Sequence, residues 1–426
     1  MTFRETRRTA FGRLFHAEAS EVKAVLYSFA YFFFLLSSYY ILRPLRDETG
    51  VAGGVDKLPW LFTGTFLAML VAVPAFSAIA ARMPRHRFIP LTYRFFIGNI
   101  VVFWALFRFA PGNVRVEAAR AFFIWTSVYN LFVVSVFWGF MADIFRHQQG
   151  ARLFGFISAG GSAGALAGPL LTTWLVKPLG PANLLLVSAV LLEGSVHCVG
   201  ALHRWAVATQ TLRQEGQKPL GGNFWSGIQL VFRSRFLLGI CLYVVLLTAT
   251  ATLLYFEQAR IVLHSSADPR VRTALFARID LIVNVTTLIL QAFVTGRLVQ
   301  RAGIRFGLGL LPVLTILAFV ALGLSPTLFV LMAAQAVRRS AHFGIERPAR
   351  EILFTDVNRE ERYKSKSFID TVVYRAGDAA TAWMSSALQA MGLGVLPVAG
   401  AAIALSVVWL WNSLTLARKD EALEAR

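Results

Sequence analysis

The stretch Tyr39-Tyr40-Ile41-Leu42-Arg43-Pro44-Leu45-Arg46-Asp47-Glu48 closes an apolar run that begins at Val22 and is long enough to cross a bilayer. It brings two guanidiniums, two carboxylates and a helix-bending proline to that position, each costly unless it faces protein or water. Two readings stand. Arg43 and Arg46 are either interfacial anchors that snorkel to headgroups, or they line a central cavity and meet an anionic solute.

The surrounding chain is built for a membrane. Its 426 residues are 56% hydrophobic and 13% aromatic, with a mean hydropathy of +0.59, far too apolar for a soluble protein. About twelve apolar stretches of roughly 17–25 residues, the length needed to span hydrocarbon, use nearly the whole chain. In the first half they fall near 22–46, 58–81, 89–109, 118–142, 153–175 and 182–203. The second half repeats the pattern near 236–258, 273–296, 307–323, 326–345, 367–391 and 395–416. A polar segment at 204–235 links a six-helix bundle at 1–203 to another at 236–426, and Phe224 to Phe232 suggests a short interfacial helix.

The net charge of +19 follows from topology and needs no nucleic-acid partner. With the N-terminus inside, the cytoplasmic segments hold about 26 Lys and Arg and the opposite ones about 9, a strong positive-inside bias. Both termini are expected in the cytoplasm. Arg4, Arg7, Arg8 and Arg13 precede a first run too long for a signal peptide and lacking a small-residue cleavage site. Cys198 and Cys241 both lie in apolar segments, which argues against a disulfide framework or a metal site.

The halves echo each other. Arg82, Arg85 and Arg87 follow the second span, as Arg301 and Arg305 follow the eighth. Asp143 ends the fourth span and Arg152 opens the fifth, while Asp356 follows the tenth and Lys364 and Lys366 precede the eleventh. The expected fold is an all-α membrane protein of twelve transmembrane helices in two six-helix pseudo-repeats, the major facilitator architecture.

Polar residues three or four apart share a helix face. The eighth span carries Asp280, Asn284, Thr287 and Gln291, with Arg278 just before; the tenth carries Gln335, Arg339, His342 and Glu346. The eleventh carries Asp370, Tyr374, Asp378 and Thr381, with Arg375 beside them. These stripes either face a shared watery cavity or form helix-to-helix ion pairs. In the first half Tyr27, Tyr31 and Ser38 lead towards Arg43, Ser127 and Asn130 mark the fourth span, and Glu193 and His197 form a local pair. Gly160, Gly164 and Gly168 stand four residues apart before Pro169, a spacing that lets two helix backbones approach closely. No P-loop lysine, paired cysteine-histidine set or nucleophile-base constellation is present in the sequence, so no catalysis, cofactor or metal is expected.

Three runs, in order and from both halves, resemble the ATP/ADP translocase (nucleotide transporter) family of plastids and intracellular bacteria. The first is Ile41 to Asp47, similar to that family's Ile-Leu-Arg, two residues, Lys, Asp. The second is Phe137 to Phe145 with Ala151 to Gly155 and the glycine-rich helix. The third is Pro348 to Glu351, leading through Tyr363-Lys364-Ser365-Lys366 and Phe368-Ile369-Asp370 to Arg375-Ala376-Gly377-Asp378. The resemblance implies a twelve-helix major facilitator fold and exchange of anionic nucleotides. Arg46 and Arg350 stand where the family places lysines thought to meet phosphate, Ala142 where it has Asn, and Arg347 where it has an acidic residue. The chain reads as a divergent bacterial member.

The expected function is a monomeric inner-membrane secondary transporter of an organic anion, with nucleotides and other phosphorylated metabolites as candidates. Arg43, Arg46, Arg339 and Arg350 would hold the anion. Asp47, Asp280, Glu346 and Asp378 would neutralise them or take up a coupling proton, with Asn130, Asn284 and Arg375 completing the site. Arg87, Asp143, Arg152, Asp356 and Lys364, with Arg359, Arg362 and Lys366, would form the cytoplasmic gate. The rival readings are a proton-driven exporter of amphipathic compounds or lipids and a non-transporting membrane scaffold.

Overall fold

A computed structural model describes residues 21–83, 85–145, 147–209, 231–232, 234–354, 365–366, 368–392 and 394–424. The described residues are almost wholly helical, as lipid demands: with no water to satisfy backbone groups, the chain must satisfy its own. In order they form α1 (Val22–Ala52), α2 (Leu58–Arg82), α3 (Arg85–Phe109), α4 (Gly112–Ile144), α5 (His147–Leu179) and α6 (Pro181–Ala208). Then come α7 (Arg235–Ser265), α8 (Pro269–Leu290), α9 (Gly296–Leu324), α10 (Leu328–Ala341), the short α11 (Arg347–Ile352), α12 (Tyr374–Ala390) and α13 (Val395–Glu424). Ser234, Asp268 and Thr327 cap α7, α8 and α10 by accepting from the amides of Leu237, Arg270 and Val330. Buried hydroxyls such as Thr126, Thr172, Thr315 and Ser406 donate to the carbonyl one turn back, the local partner available in an apolar interior.

Ten helices among the described residues are long and apolar enough to cross a membrane. The expected spans at 326–345 and 367–391 are absent from that set. They fall on α10, 14 residues long, and α12, 17 residues long, the segments that carry the ionisable stripes. Each adjoins a π-helical turn, His342–Glu346 after α10 and Ile369–Val373 before α12. A third such turn, Gln291–Thr295, follows α8.

The chain divides into two compact units, Met1–Arg46 with Ala72–Pro219 and Asp47–Val71 with Leu220–Arg426. The linker expected at 204–235 is described only at its two ends, so the interfacial helix expected from Phe224 falls almost wholly outside the described residues.

In the first unit α1 meets four neighbours. Tyr31 hydrogen-bonds Tyr93 of α3, Phe32 stacks on Phe137 of α4 at 4.0 Å, and Ser38 meets Tyr129 of α4 at 3.0 Å and Ser188 of α6 at 2.8 Å. Against α5 the approach is backbone to backbone. A Cβ on Gly164 would lie 3.0 Å from the Ser37 amide nitrogen, and one on Gly168 would lie 2.9 Å from the Ser37 carbonyl oxygen and 2.6 Å from Tyr40 Cβ. The small-residue spacing therefore does what its sequence implied: it seats α5 on α1.

The second unit packs α7 against α12 and α13, α9 against α13, and α8 against α10. Its centre is Tyr243, edge-on to Trp409 at 5.4 Å, with Leu308, Leu311 and Ile369 around them. A bend in α9 occurs at Gly303, whose φ of 72° suits glycine.

The α1–α5 seam can be tested by contrast. Gly164→Ala, which puts a carbon into the backbone of α1, is expected to lower stability by about 1–3 kcal/mol. Gly200→Ala in α6, with open space around it, is expected to be neutral or to stabilise by up to about 1 kcal/mol. Thermal unfolding of both variants in detergent checks the pair; equal melting temperatures would contradict the packing argument.

Candidate functional site

The two arginines of the opening stretch are half-buried in the first unit and lie on aromatic faces. Arg43 stands 5.8 Å above the Tyr40 ring and Arg46 4.9 Å above Phe123 of α4, an arrangement that suits a weakly hydrated guanidinium. Asn130, two turns along α4 from Phe123, is also half-buried.

The next two residues belong to the second unit. Asp47 is buried and accepts from the Tyr255 hydroxyl at 3.1 Å. Glu48 accepts from Arg272 Nη2 at 2.6 Å and Nε at 3.2 Å, and Arg272 Nη1 donates to the Ser266 and Ala267 carbonyls, both at 3.0 Å. Phe62 meets Tyr255 and Phe256, and Trp383 of α12 donates to Thr63 at 3.0 Å. Sequence reasoning missed Arg272, since it lies in the first turn of α8, off that helix's polar stripe.

The stripes of the second half are brought together in pairs. Arg339 Nη1 donates to Asp280 at 2.8 Å, joining α10 to α8, and Asn284 stands half-buried one turn along α8. Gln335 donates to Gln258 of α7 at 2.6 Å. On α12, Asp378 accepts from Thr252 of α7 at 2.9 Å and from Arg375 at 3.3 Å. Around the π-helical turn at 342–346, His342 Nδ1 lies 2.7 Å from Glu346 and Arg350 Nε 3.3 Å from the same carboxylate. Arg350 also reaches Asp370 at 3.5 Å.

One further arginine lies off the polar stripes. Arg338 is only 4% exposed, and its hydrogen-bond acceptors are neutral: Thr315 of α9 at 3.1 Å, Thr250 of α7 at 3.0 Å and the Leu247 carbonyl at 3.2 Å. Being next to Arg339, it points about 100° away around the helix, into the centre of the unit.

The residues expected to gate the cytoplasmic side are described in part. Arg87 is exposed in the first turn of α3, and Asp143 is half-buried at the end of α4. Arg152 binds Glu21 at 3.1 Å, which Gln149 also reaches at 2.7 Å. Lys366 pairs with Glu351. Asp356 and Lys364, with Arg359 and Arg362, lie outside the described residues.

The Glu48–Arg272 pair makes a quantitative prediction, since its side chains are 8% and 7% exposed. Arg272→Met alone strands a buried carboxylate and is expected to cost about 3–5 kcal/mol. Adding Glu48→Gln should recover much of that loss, giving a strongly non-additive double-mutant cycle by thermal unfolding. Additive losses would mean that the two charges are not coupled.

No protein-family model and no curated protein matches the chain. Solved structures do match. A nucleoside transporter, NupG, aligns with 15% identity and a TM-score of 0.62 over 96% of this chain and 100% of its own. A POT family transporter, PepTSo, aligns with 13% identity and a TM-score of 0.65 over 92% of this chain and 98% of its own. A bacterial homologue of the human lysosomal transporter Spinster, solved inward-facing and unoccupied, aligns with 14% identity and a TM-score of 0.57 over 95% and 96%. The chain has the fold of the major facilitator-type transporters.

Proposed function

We propose that the chain is a secondary active transporter that carries an organic anion across the inner membrane by alternating access. Its halves, 1–203 and 236–426 joined by 204–235, would rock about a midplane site while both termini stay in the cytoplasm. Nucleotides and other phosphorylated metabolites are the leading substrate class. They are favoured by the resemblance to the ATP/ADP translocases, of which this chain would be a divergent member.

The observation that supports an anion is the arginine content of the helix interiors. Arg338, Arg339 and Arg350 stand within thirteen consecutive positions, and two of them are under 9% exposed. A charge at the centre of a membrane helix costs about 2.5–3.5 kcal/mol on insertion scales, and the hydrogen bonds of Arg338 all go to neutral oxygens. An exporter of apolar compounds has no use for such a concentration of guanidinium.

In this reading Arg43, Arg46, Arg339 and Arg350 hold the anion, with Asn130 and Asn284 as neutral donors. Asp47, Asp280, Glu346 and Asp378 occupy the arginines when substrate is absent, with Arg375 held on Asp378. Arg87, Asp143, Arg152, Asp356 and Lys364 form the cytoplasmic gate. The reading has no catalytic step, and the carrier works as a monomer.

Two measurements test it. A thermal-shift screen of purified protein against nucleotides, sugar phosphates and dicarboxylates is expected to raise the melting temperature for at least one class, because a ligand selective for the folded state stabilises it. A flat response to all of them would favour an exporter of amphipathic compounds. With the responding anion radiolabelled, Arg46→Ala is expected to abolish uptake into proteoliposomes while the protein stays folded; normal uptake would remove Arg46 from the site.

A further inference from the structure

Glu346 is fully buried and has two partners of different kinds. His342, one turn earlier, can exchange a proton; Arg350, one turn later, cannot. The contacts are close but poorly aimed. His342 Nδ1, both Glu346 carboxylate oxygens and Arg350 Nε are enclosed by protein without hydrogen-bond geometry to any partner. Arg350 is shared with a second carboxylate, that of Asp370, whose side chain is 37% exposed. The guanidinium thus bridges a closed carboxylate and an open one.

The groups facing this cluster can be counted helix by helix. From α7 comes Tyr243, from α10 Arg338, from α11 Arg350, and from the π-helical turn and α12 Asp370 and Tyr374. Neutral groups close the remaining sides: the Leu308 carbonyl of α9, which accepts from Tyr243, and the Trp409 ring of α13. Lys366, Arg347 and Glu351 act on Asp370, at the open end. With His342 neutral, Arg338 and Arg350 balance Glu346 and Asp370, and the inner cluster carries no net charge.

That balance fails when an anion arrives. An anion that engages Arg350 from the Asp370 side adds negative charge and draws the guanidinium away from Glu346. Arg338 alone then no longer offsets the carboxylates and the incoming anion, and the partner of Glu346 that can carry an added proton is His342, across the 2.7 Å contact. We propose, resting on the anion-carrier reading, that an anion bound at Arg350 is accompanied by uptake of one proton at the His342–Glu346 pair, so that the carrier moves anion and proton together. The proton comes from solvent and adds to the Glu346 carboxylate or to whichever ring nitrogen of His342 carries no hydrogen, with no other bond made or broken.

The first arm of the test needs no substrate. Arg350→Gln withdraws the guanidinium as an anion would. Infrared titration of the full-length protein in nanodiscs is expected to show one proton per molecule at pH 7 that wild type lacks, as a protonated carboxyl or an imidazolium. It should vanish in the E346Q/R350Q double variant. Unchanged proton content in Arg350→Gln overturns the proposal; should that variant not fold, Arg350→Met, apolar and of similar reach, replaces it. The second arm adds inorganic pyrophosphate to wild type in weak buffer. One proton taken up per pyrophosphate bound, and none in a Glu346→Gln variant that still binds it, supports the coupling. Binding without uptake overturns the coupling and leaves the carrier reading intact. Absence of binding by pyrophosphate and every nucleotide counts against the carrier reading, while the first arm still decides the proton site.

Discussion

A charge inside a membrane helix persists only where protein replaces the water it has lost. The two units meet that constraint differently. Buried polar groups of the first unit are mainly hydroxyls: Ser28, Ser37, Ser38, Thr126, Ser127, Thr172, Ser188 and Ser195, with the tyrosines Tyr31, Tyr93 and Tyr129. Hydroxyls can turn back on their own helix or bond one another, so aromatic and glycine packing can determine the rest. The second unit buries Asp47, Glu48, Glu257, Arg272, Asp280, Arg338, Glu346, Arg350 and Asp378. Ions cannot be satisfied by their own backbone alone, and most of these reach across to another segment. The two units differ in the chemistry they bury.

How much of this was legible depended on whether the signal was local. The glycine ladder of α5 was readable because four-residue spacing is a property of one helix. The partner helix was not, since nothing in Gly160, Gly164 and Gly168 names α1. The polar stripes likewise announced that α8, α10 and α12 present charged faces, and Asp280, Arg339 and Asp378 do lie against other residues of that kind. Pairing was beyond reach: Arg339 chose Asp280 and Gln335 chose Gln258, contacts separated by tens of residues. Periodicity also passed over Arg338, which lies off the stripe of Arg339 and is the more deeply buried of the two.

The same electrostatics explains why two of the expected spans fall short as apolar helices. Hydropathy rewards a segment for lacking charge, whereas α10 and α12 carry charge that the packed unit satisfies after folding. Their length and composition describe them before assembly; the contacts to Asp280, Thr252 and Thr315 describe them afterwards. The opening stretch shows a related limit. Arg43 and Arg46 could be assigned to neither lipid nor cavity from sequence, and the faces of Tyr40 and Phe123 on which they lie could not be inferred from spacing along α1.

The π-helical turns carry this reasoning one step further. An i→i+5 turn holds one residue more than an α-helical turn, so every side chain beyond it is displaced by about 100° from the face that a continuous helix would assign. Glu346 closes one such turn and Asp370 is the second residue of another. Arg350, just past the first, therefore reaches Asp370 of the second across a distance that no single-helix periodicity would propose. The wider turn also loosens backbone bonding. One side chain answers that directly: Gln291, opening the third turn, donates to the Phe343 carbonyl within the first at 3.3 Å. Two of the departures from α-helical geometry and the buried ionisable cluster therefore share residues between α10 and α12, and the second of these turns also sets Ile369 against the apolar centre around Tyr243 and Trp409. Irregular backbone within membrane-spanning structure is tolerated where protein encloses it, and here the enclosing groups are the ones whose charges the fold must balance.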